Sequence, residues 1–314
     1  MANLQTEIAG TVFKNPVFTA SGTFGYGVEF ASLFDLNRLG GIVVKGLSAK
    51  PIAGNPAPRL VPARSGMLNS VGLQNIGAPR FIQEKLPYLR TLHTPIIANV
   101  FGYTLHEYLE CLRILNDSEG IAAYELNISC PNTSRGGMEF SSDPQLTHEV
   151  VAAAKGISRR PLWVKLSPNC ADVTVIARAA AEAGADALTL INTVLGLSLD
   201  VDTTRPRLPR GLAGLSGPAI KPIALRWVYQ TAGTVQIPIV GVGGIASTED
   251  AIEFLLAGAR AIQVGTANFY DPMAALKIVR GLETYCLRHH ITSVQELVGK
   301  AAPPSTVPAF QEES

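Results

Sequence analysis

The amino-acid sequence predicts an α/β fold: a (β/α)8 TIM barrel with an N-terminal β-hairpin and inserted loops at the C-terminal face of the barrel. Three observations predict it. Eight short apolar runs alternate with helix-like segments, most of these runs are apolar throughout, and only 16% of the 314 residues are charged. Parallel strands with helices on their faces are buried on both sides and have this pattern. An open, doubly wound parallel sheet is the alternative architecture.

The predicted strands occur at intervals along the chain, and two shorter runs precede them. The strands are residues 17–20, 42–45, 96–100, 124–127, 162–166, 188–191, 239–242 and 261–264. Before them, residues 4–8 and 11–13 flank Ala9-Gly10, which indicates a hairpin. We expect this hairpin to cover the bottom of the barrel.

Four segments between the strands carry helix start and stop signals. They are residues 105–115, 171–183 after Asn169, 220–229 after Pro218, and 248–256 after Ser247. The connections 46–95 and 192–238 are longer than a βα unit requires, and long connections in compact domains are often functional. We expect residues 1–300 to form one domain and residues 301–314 to form a flexible tail.

Composition excludes several classes of function. Lys+Arg 26 against Asp+Glu 25 gives a formal charge of +1, which does not favour binding to nucleic acid or to an anionic membrane surface. No apolar run is long enough to span a membrane, and the N-terminus lacks a signal-peptide pattern. The four cysteines form no CxxC pair, so we expect no bound metal or iron–sulfur cluster on this chain. A cytoplasmic protein is expected.

Polar residues and glycines follow nearly every predicted strand, where a barrel of this kind carries its active site. In chain order they are Ala20-Ser21-Gly22, Lys45-Gly46, Asn99, Asn127, Lys165, Asn192-Thr193, Gly243-Gly244 and Gly265-Thr266. Amides suit a flat heterocycle that bears amide groups, lysines suit an anion, and glycine N–H groups suit a phosphate. Each residue alone also has a structural explanation, so the combination carries the prediction.

Cys130 begins a polar, glycine-bearing loop directly after the fourth strand. Its thiol could act as a nucleophile or as a general base. None of the five histidines falls at a predicted strand end, which favours proton abstraction because nucleophilic cysteines usually have a histidine partner. We interpret Cys111, Cys170 and Cys286 as structural.

Several motifs together make the sequence resemble the class 1 dihydroorotate dehydrogenases, from about Leu4 to Cys286. The motifs are Asn15-Pro16, Ala20-Ser21-Gly22-Thr23-Phe24-Gly25, Asn69-Ser70-Val71-Gly72-Leu73, Asn127-Ile128-Ser129-Cys130-Pro131-Asn132 and Val242-Gly243-Gly244-Ile245. The stretch Gly214-Leu215-Ser216-Gly217-Pro218-Ala219-Ile220-Lys221-Pro222 resembles the catalytic (FMN) subunit of subclass 1B.

The resemblance implies oxidation of (S)-dihydroorotate to orotate in de novo pyrimidine biosynthesis, with one FMN per chain. Cys130 would be the catalytic base and Lys165 would stabilise charge on the flavin. The implied FMN contacts are Ala20, Ser21, Lys45, Gly46, Asn99, Asn127, Lys165, Ile191, Gly217, Gly243, Gly244, Gly265 and Thr266. The implied substrate contacts are Lys45, Asn69, Ser70, Val71, Gly72, Leu73, Asn127, Asn132, Asn192 and Thr193.

The resemblance further implies that electrons pass to NAD through a partner subunit that carries FAD and a [2Fe–2S] cluster. A homodimeric core flanked by two partner subunits, a heterotetramer, is implied as well. The alternatives are a fumarate-dependent class 1A enzyme and the catalytic domain of a dihydropyrimidine dehydrogenase. Outside the flavoenzymes, Lys45 or Lys165 could form a Schiff base in an aldolase-like barrel, and a non-catalytic phosphate-binding scaffold is the last alternative.

Overall fold

The computed structural model describes residues 2–129, 131–132 and 138–301, without the side chains of residues 131, 132, 138 and 139. The strands are β1 (Thr6–Ile8), β2 (Thr11–Phe13), β3 (Val17–Thr19), β4 (Gly41–Val43), β5 (Leu60–Ala63), β6 (Gly66–Asn69), β7 (Ile96–Val100), β8 (Ala123–Asn127), β9 (Pro131–Asn132), β10 (Met138–Glu139), β11 (Leu162–Leu166), β12 (Ala187–Leu190), β13 (Val194–Gly196), β14 (Leu199–Asp200), β15 (Arg205–Pro206), β16 (Ala213–Ser216), β17 (Ile239–Val242) and β18 (Ala261–Val264). The helices are α1 (Ala78–Glu84), α2 (Leu86–Leu89), α3 (Leu105–Asn116), α4 (Pro144–Ile157), α5 (Val173–Glu182), α6 (Lys221–Ala232), α7 (Thr248–Leu256), α8 (Ala267–Tyr270) and α9 (Ala274–Arg288).

Eight of these strands pair in parallel and close into a barrel, which confirms the predicted fold. Their order around the barrel is β3, β4, β7, β8, β11, β12, β17 and β18. The predicted bounds of β7, β11, β17 and β18 agree with the structure. Strand β4 ends two residues before the predicted end, because Lys45 leaves the ladder and its N–H donates to Gly25 O at 2.8 Å.

The lower half of the barrel interior is apolar. Side chains alternate between the two faces of a strand, so each barrel strand contributes one residue at this level. They are Phe18, Val43, Ile97, Ala123, Trp163, Ala187, Val240 and Ala261. Ile8 and Phe13 of the β1–β2 hairpin join the same cluster, and the Phe13 ring lies 6.0 Å from that of Trp163. The hairpin therefore closes the bottom of the barrel, as predicted.

The next level of the interior is mostly polar. Two positions further along each strand, on the same inward face, the chain carries Ala20, Lys45, Asn99, Glu125, Lys165, Thr189, Val242 and Gln263. Within this set the ladders pair Asn99 with Glu125 and Lys165 with Thr189. We call this set the polar layer. It separates the apolar interior from the C-terminal mouth of the barrel.

Helices occupy the connections, and two of them start as the sequence predicts. Ser247 caps α7 in a capping box with Asp250, and Leu105 begins α3 behind Thr104. The predicted start of α5 was wrong by two residues. Its N-cap is Asp172, whose side chain accepts from Thr174 N, whereas the Asn169 side chain is engaged with Thr193 O and Leu195 N.

The two long connections meet above the mouth of the barrel. Strands β5 and β6 come from residues 46–95, while β13 and β16 come from residues 192–238, and together they form a four-stranded antiparallel sheet. Gly214 of β16 pairs with Asn69 of β6. The expected insertions at the C-terminal face are therefore one structural unit that neither connection forms alone.

Two other features concern the predictions on chain ends and membranes. Of the predicted tail, only Ala301 lies within the described residues, and its N–H donates to Leu256 O at 3.0 Å. Within the described ranges, every helix is too short or too polar to cross a bilayer.

Trp163→Ala tests the apolar half of the barrel. Trp163 is fully buried between Phe13 and Phe18, so we expect the free energy of unfolding to fall by about 3–5 kcal/mol, measured by urea denaturation. Val201→Ala is the control, because Val201 is 83% exposed and its loss changes stability by less than about 0.5 kcal/mol. Equal stability of both variants would contradict the packing role.

Candidate active site

A cavity of about 740 Å³ opens at the C-terminal end of the barrel, between the strand ends and the inserted sheet. That volume lies within the usual range of small-molecule sites. The residues predicted from the sequence line this one cavity wherever the structure describes their side chains. They are Ala20, Ser21, Lys45, Gly46, Asn69, Ser70, Val71, Gly72, Leu73, Asn99, Asn127, Lys165, Ile191, Asn192, Thr193, Gly217, Gly243, Gly244, Gly265 and Thr266. Their individual roles stay predictions.

Two predicted residues cannot be located at the cavity. Cys130, the predicted base, lies outside the described residues. Asn132 lies in β9, which pairs with β10, but its side chain is outside what the structure describes. The last described residue before Cys130 is Ser129, which lines the cavity.

An amide cluster occupies one wall of the cavity. Asn192 Nδ2 donates to Asn127 Oδ1 at 3.2 Å and to Ser129 Oγ at 2.9 Å, and Asn192 Oδ1 accepts from Thr193 N at 2.8 Å. Tyr108 Oη donates to Asn127 O at 2.6 Å and so supports the end of β8 from the α3 side. These bonds fix the orientation of two amides that have further donor and acceptor capacity for a ligand.

Two lysines bring positive charge to the cavity from different strands. Lys165 Nζ lies 3.4 Å from Ser21 Oγ and only 5% of the residue is exposed. Burial lowers the pKa of Lys45, the positive charge of Arg59 lowers it further, and Glu29 opposes both effects. Lys45 therefore loses its proton at a lower pH than an ordinary lysine.

Glu125 lies directly below this cavity and is fully buried in the polar layer. Its Oε1 accepts from Asn99 Nδ2 at 2.7 Å and lies 4.0 Å from Lys165 Nζ. Its Oε2 accepts from Thr189 Oγ1 at 2.9 Å and from Gln263 Nε2 at 2.6 Å. Both carboxyl oxygens therefore act as acceptors, and three side chains donate to them.

Glycines at the ends of β17 and β18 form a backbone surface with open N–H groups. Within the described chain, the N–H groups of Gly244, Gly265 and Thr266 enter no hydrogen bond. Gly244 has φ +80°, and a Cβ there would lie 2.7 Å from Lys221 Cβ. Only glycine fits this position without strain, so the surface presents backbone donors suited to a phosphate.

The inserted sheet and its loop form the opposite wall. Asn69 Nδ2 donates to Gly214 O at 3.1 Å, which links β6 to β16 at the cavity. In the following loop, Ser70 N donates to Arg59 O at 2.8 Å. Gly72 has φ +73°, and a Cβ there would lie 2.7 Å from Asn55 N, so the loop needs glycine to pass this close to its neighbour.

Sequence reasoning missed several polar residues at or below the cavity, among them two arginines, one asparagine and one glutamate. Asn169, Arg59 and Arg210 line it, and Glu125 lies beneath it. Asn169 bridges to the inserted sheet, since its Nδ2 donates to Thr193 O and its Oδ1 accepts from Leu195 N. Glu125 could have been found from the strand period, because it stands two residues before Asn127 on the same face of β8. Arg59 and Arg210 gave no local signal, because they lie in long connections.

Comparisons with known proteins agree with this geometry. The family model described as dihydroorotate dehydrogenase matches residues 3–286. A relative from Solibacter usitatus, named putative dihydroorotate dehydrogenase A (fumarate), is 58% identical over 94% of this chain and 97% of its own. Relatives from Geotalea uraniireducens and Geobacter sulfurreducens, both named dihydroorotate dehydrogenase B (NAD(+)), catalytic subunit, are 53% and 52% identical over 95% of this chain and 97% of theirs.

These matches span nearly the whole barrel and the inserted sheet, and the identities are far above the level at which only a fold is shared. The family membership predicted from the sequence motifs is thereby confirmed: this chain belongs to the dihydroorotate dehydrogenase family.

Proposed function

We propose that this chain is the catalytic subunit of an NAD-linked dihydroorotate dehydrogenase, which oxidises (S)-dihydroorotate to orotate in pyrimidine biosynthesis, in the cytoplasm. The observation that carries the proposal is the single cavity that gathers two lysines, the amide cluster and the open glycine N–H groups. This donor set suits a flavin and a small, flat, anionic heterocycle, and the family is flavin-dependent.

The cavity residues fit FMN. The open N–H groups of Gly244, Gly265 and Thr266 would hold its phosphate, since a phosphate binds well to unpaired backbone donors. Lys165 would lie at the part of the flavin ring where negative charge develops on reduction, and Asn99 and Asn127 would bind its amide edge. When bound, FMN supplies the acceptor for the hydride that leaves C6 of dihydroorotate.

The chain's own residues would bind the substrate and move its proton. Cys130 would take the proton from C5 of dihydroorotate while the hydride leaves C6. Lys45 would pair with the anionic substrate, and Asn69, Asn127 and Asn192 would hold its amide and carboxylate groups in one orientation. Such positioning converts a bimolecular step into an effectively unimolecular one.

The names of the relatives support an NAD-linked enzyme with a separate electron-transfer subunit. Several relatives at 51–53% identity are named as the catalytic subunit of the NAD(+) enzyme. From the resemblance we propose that the partner carries FAD and a [2Fe–2S] cluster and that two such subunits flank a homodimer of this chain. The second candidate function is fumarate-dependent oxidation, which is favoured by the name of the relative at 58% identity.

Anaerobic mixing with dihydroorotate tests the reaction itself. The purified chain should carry a yellow flavin that bleaches on addition of dihydroorotate, followed by absorbance in a stopped-flow instrument. Reoxidation then separates the two candidates: artificial acceptors should restore the colour, whereas NAD should do so only with the partner subunit. Rapid reoxidation by fumarate would establish the second candidate instead, and a flavin that dihydroorotate leaves oxidised would exclude both.

Cys130→Ser tests the proposed base. A hydroxyl is a far weaker base than a thiolate, so turnover should fall by roughly 10²–10⁴ while the bound flavin stays yellow. In the unmodified chain, the rate should rise with pH as the thiol ionises. Cys170→Ser is the matched control, because Cys170 is a part-buried cysteine outside the cavity lining. Turnover at the normal rate in the Cys130 variant would refute the assignment.

The lowered pKa of Lys45 predicts how orotate binding depends on pH. Protonated Lys45 attracts the anion, so orotate affinity should fall as pH rises, and the fall should begin below the usual lysine range because burial disfavours the charged form. Titration of the flavin absorbance with orotate at several pH values measures this. Lys45→Arg keeps its charge over the whole range and should remove the dependence. A dependence that persists in this variant would assign it to another group.

A further inference from the structure

Glu125 is the one described carboxylate of the polar layer, and none of the proposed steps uses it. It cannot touch a ligand in the cavity, because the side chain has 0% exposure. A fully buried carboxylate is costly unless donors and a countercharge surround it. Here three donors and the Lys165 ammonium do so, and two of these four groups, Asn99 and Lys165, also line the cavity.

The hydrogen bond between Asn99 and Glu125 has a definite sense. Asn99 Nδ2 donates to Glu125 Oε1 at 2.7 Å, so Asn99 presents its NH2 group to the carboxyl group. The other end of the Asn99 amide, Oδ1, lies beside Gly46. A Cβ added to Gly46 would lie 3.0 Å from this oxygen. Gly46 also lines the cavity, so Glu125 determines that Asn99 offers an acceptor there.

We propose that Glu125 is a positioning residue for the cofactor: its carboxylate turns the Asn99 oxygen toward the cavity and holds the Lys165 ammonium at the cavity floor. The inference rests on the proposed flavin site, and it assigns the binding strength of that site partly to a residue that does not contact the ligand. Thr189 and Gln263 contribute indirectly, by orienting the carboxylate of Glu125. They donate to its Oε2, which leaves Oε1 for Asn99 and Lys165.

Glu125→Gln reverses this arrangement while keeping the shape of the side chain. The two donors Thr189 and Gln263 would retain the amide oxygen, so the new NH2 group would face Asn99. Asn99 would then have to turn over, and its NH2 group would face the cavity in place of the oxygen. We expect FMN to bind roughly tenfold to a hundredfold more weakly, the usual result of one mispaired buried polar group.

Exchanging the two groups provides the decisive rescue. In Glu125→Gln with Asn99→Asp, the amide at 125 donates to the carboxylate at 99, the second carboxylate oxygen is an acceptor for the cavity, and the formal charge is unchanged. Asn99→Asp alone places two carboxylates together and should also weaken FMN binding. The double variant should therefore bind FMN more tightly than either single variant, which a merely structural role of Glu125 does not predict.

FMN affinity is measured by quenching of flavin fluorescence on titration of the apoprotein, alongside the visible spectrum of the bound flavin and the melting temperature. Thr19→Val is the control, since Thr19 is as buried as Glu125 but its hydroxyl has no partner among the described residues, and FMN affinity should not change. Normal affinity in Glu125→Gln, or a double variant that binds FMN no more tightly than the tighter-binding single variant, would overturn the proposal.

The same measurements distinguish failure of the proposed flavin site from failure of the positioning role of Glu125. Failure of the unmodified chain to bind FMN would refute the proposed flavin site itself, whereas normal binding by the unmodified chain and by Glu125→Gln refutes only the positioning role. Should Glu125→Gln not fold, Thr189→Val removes a single donor to Oε2 and keeps every charge. It should weaken FMN binding by a smaller factor, and unchanged affinity would count against the proposal.

Discussion

The burial of one ion pair constrains the upper half of this barrel. Glu125 and Lys165 lie on neighbouring strands, with 4.0 Å between Glu125 Oε1 and Lys165 Nζ. Both side chains are buried. Removal of one partner would leave an uncompensated buried charge, which is more costly than the loss of both. The barrel therefore supplies Asn99, Thr189 and Gln263 as donors around the carboxylate, and these side chains fix what the cavity above can offer a ligand.

The apolar level below makes this polar layer possible. Trp163, Phe18 and Phe13 fill the lower interior, so water does not reach the ion pair from the bottom of the barrel. Above it, the inserted sheet covers part of the mouth through the contact of β6 with β16. The charged groups thus lie above an apolar interior and beneath a partly covered mouth, where their interaction with a bound anion is stronger than in bulk water.

Much of the site could be predicted because parallel strands bring their carboxyl ends to one edge. Lys165, Asn127 and Gly243 are far apart in sequence, yet the strand pattern alone placed each at the mouth, and all line the cavity. Glu125 was missed although its signal was present, since it shares the inward face of β8 with Asn127. A charged residue inside an apolar run has no visible partner in the sequence, because its partners come from β7, β11, β12 and β18.

The sequence by itself determined the barrel, its strand ends and the family, because these depend on local periodicity and on contiguous motifs. The tertiary structure decided what depends on contacts between distant segments. It joined strands from residues 46–95 and 192–238 into one sheet over the mouth. It also made Asp172, and not Asn169, the residue that caps the N-terminus of α5. It also turned the Asn99 amide toward its acceptor on the neighbouring strand, a choice of hydrogen-bond sense that exists only once β7 and β8 lie side by side.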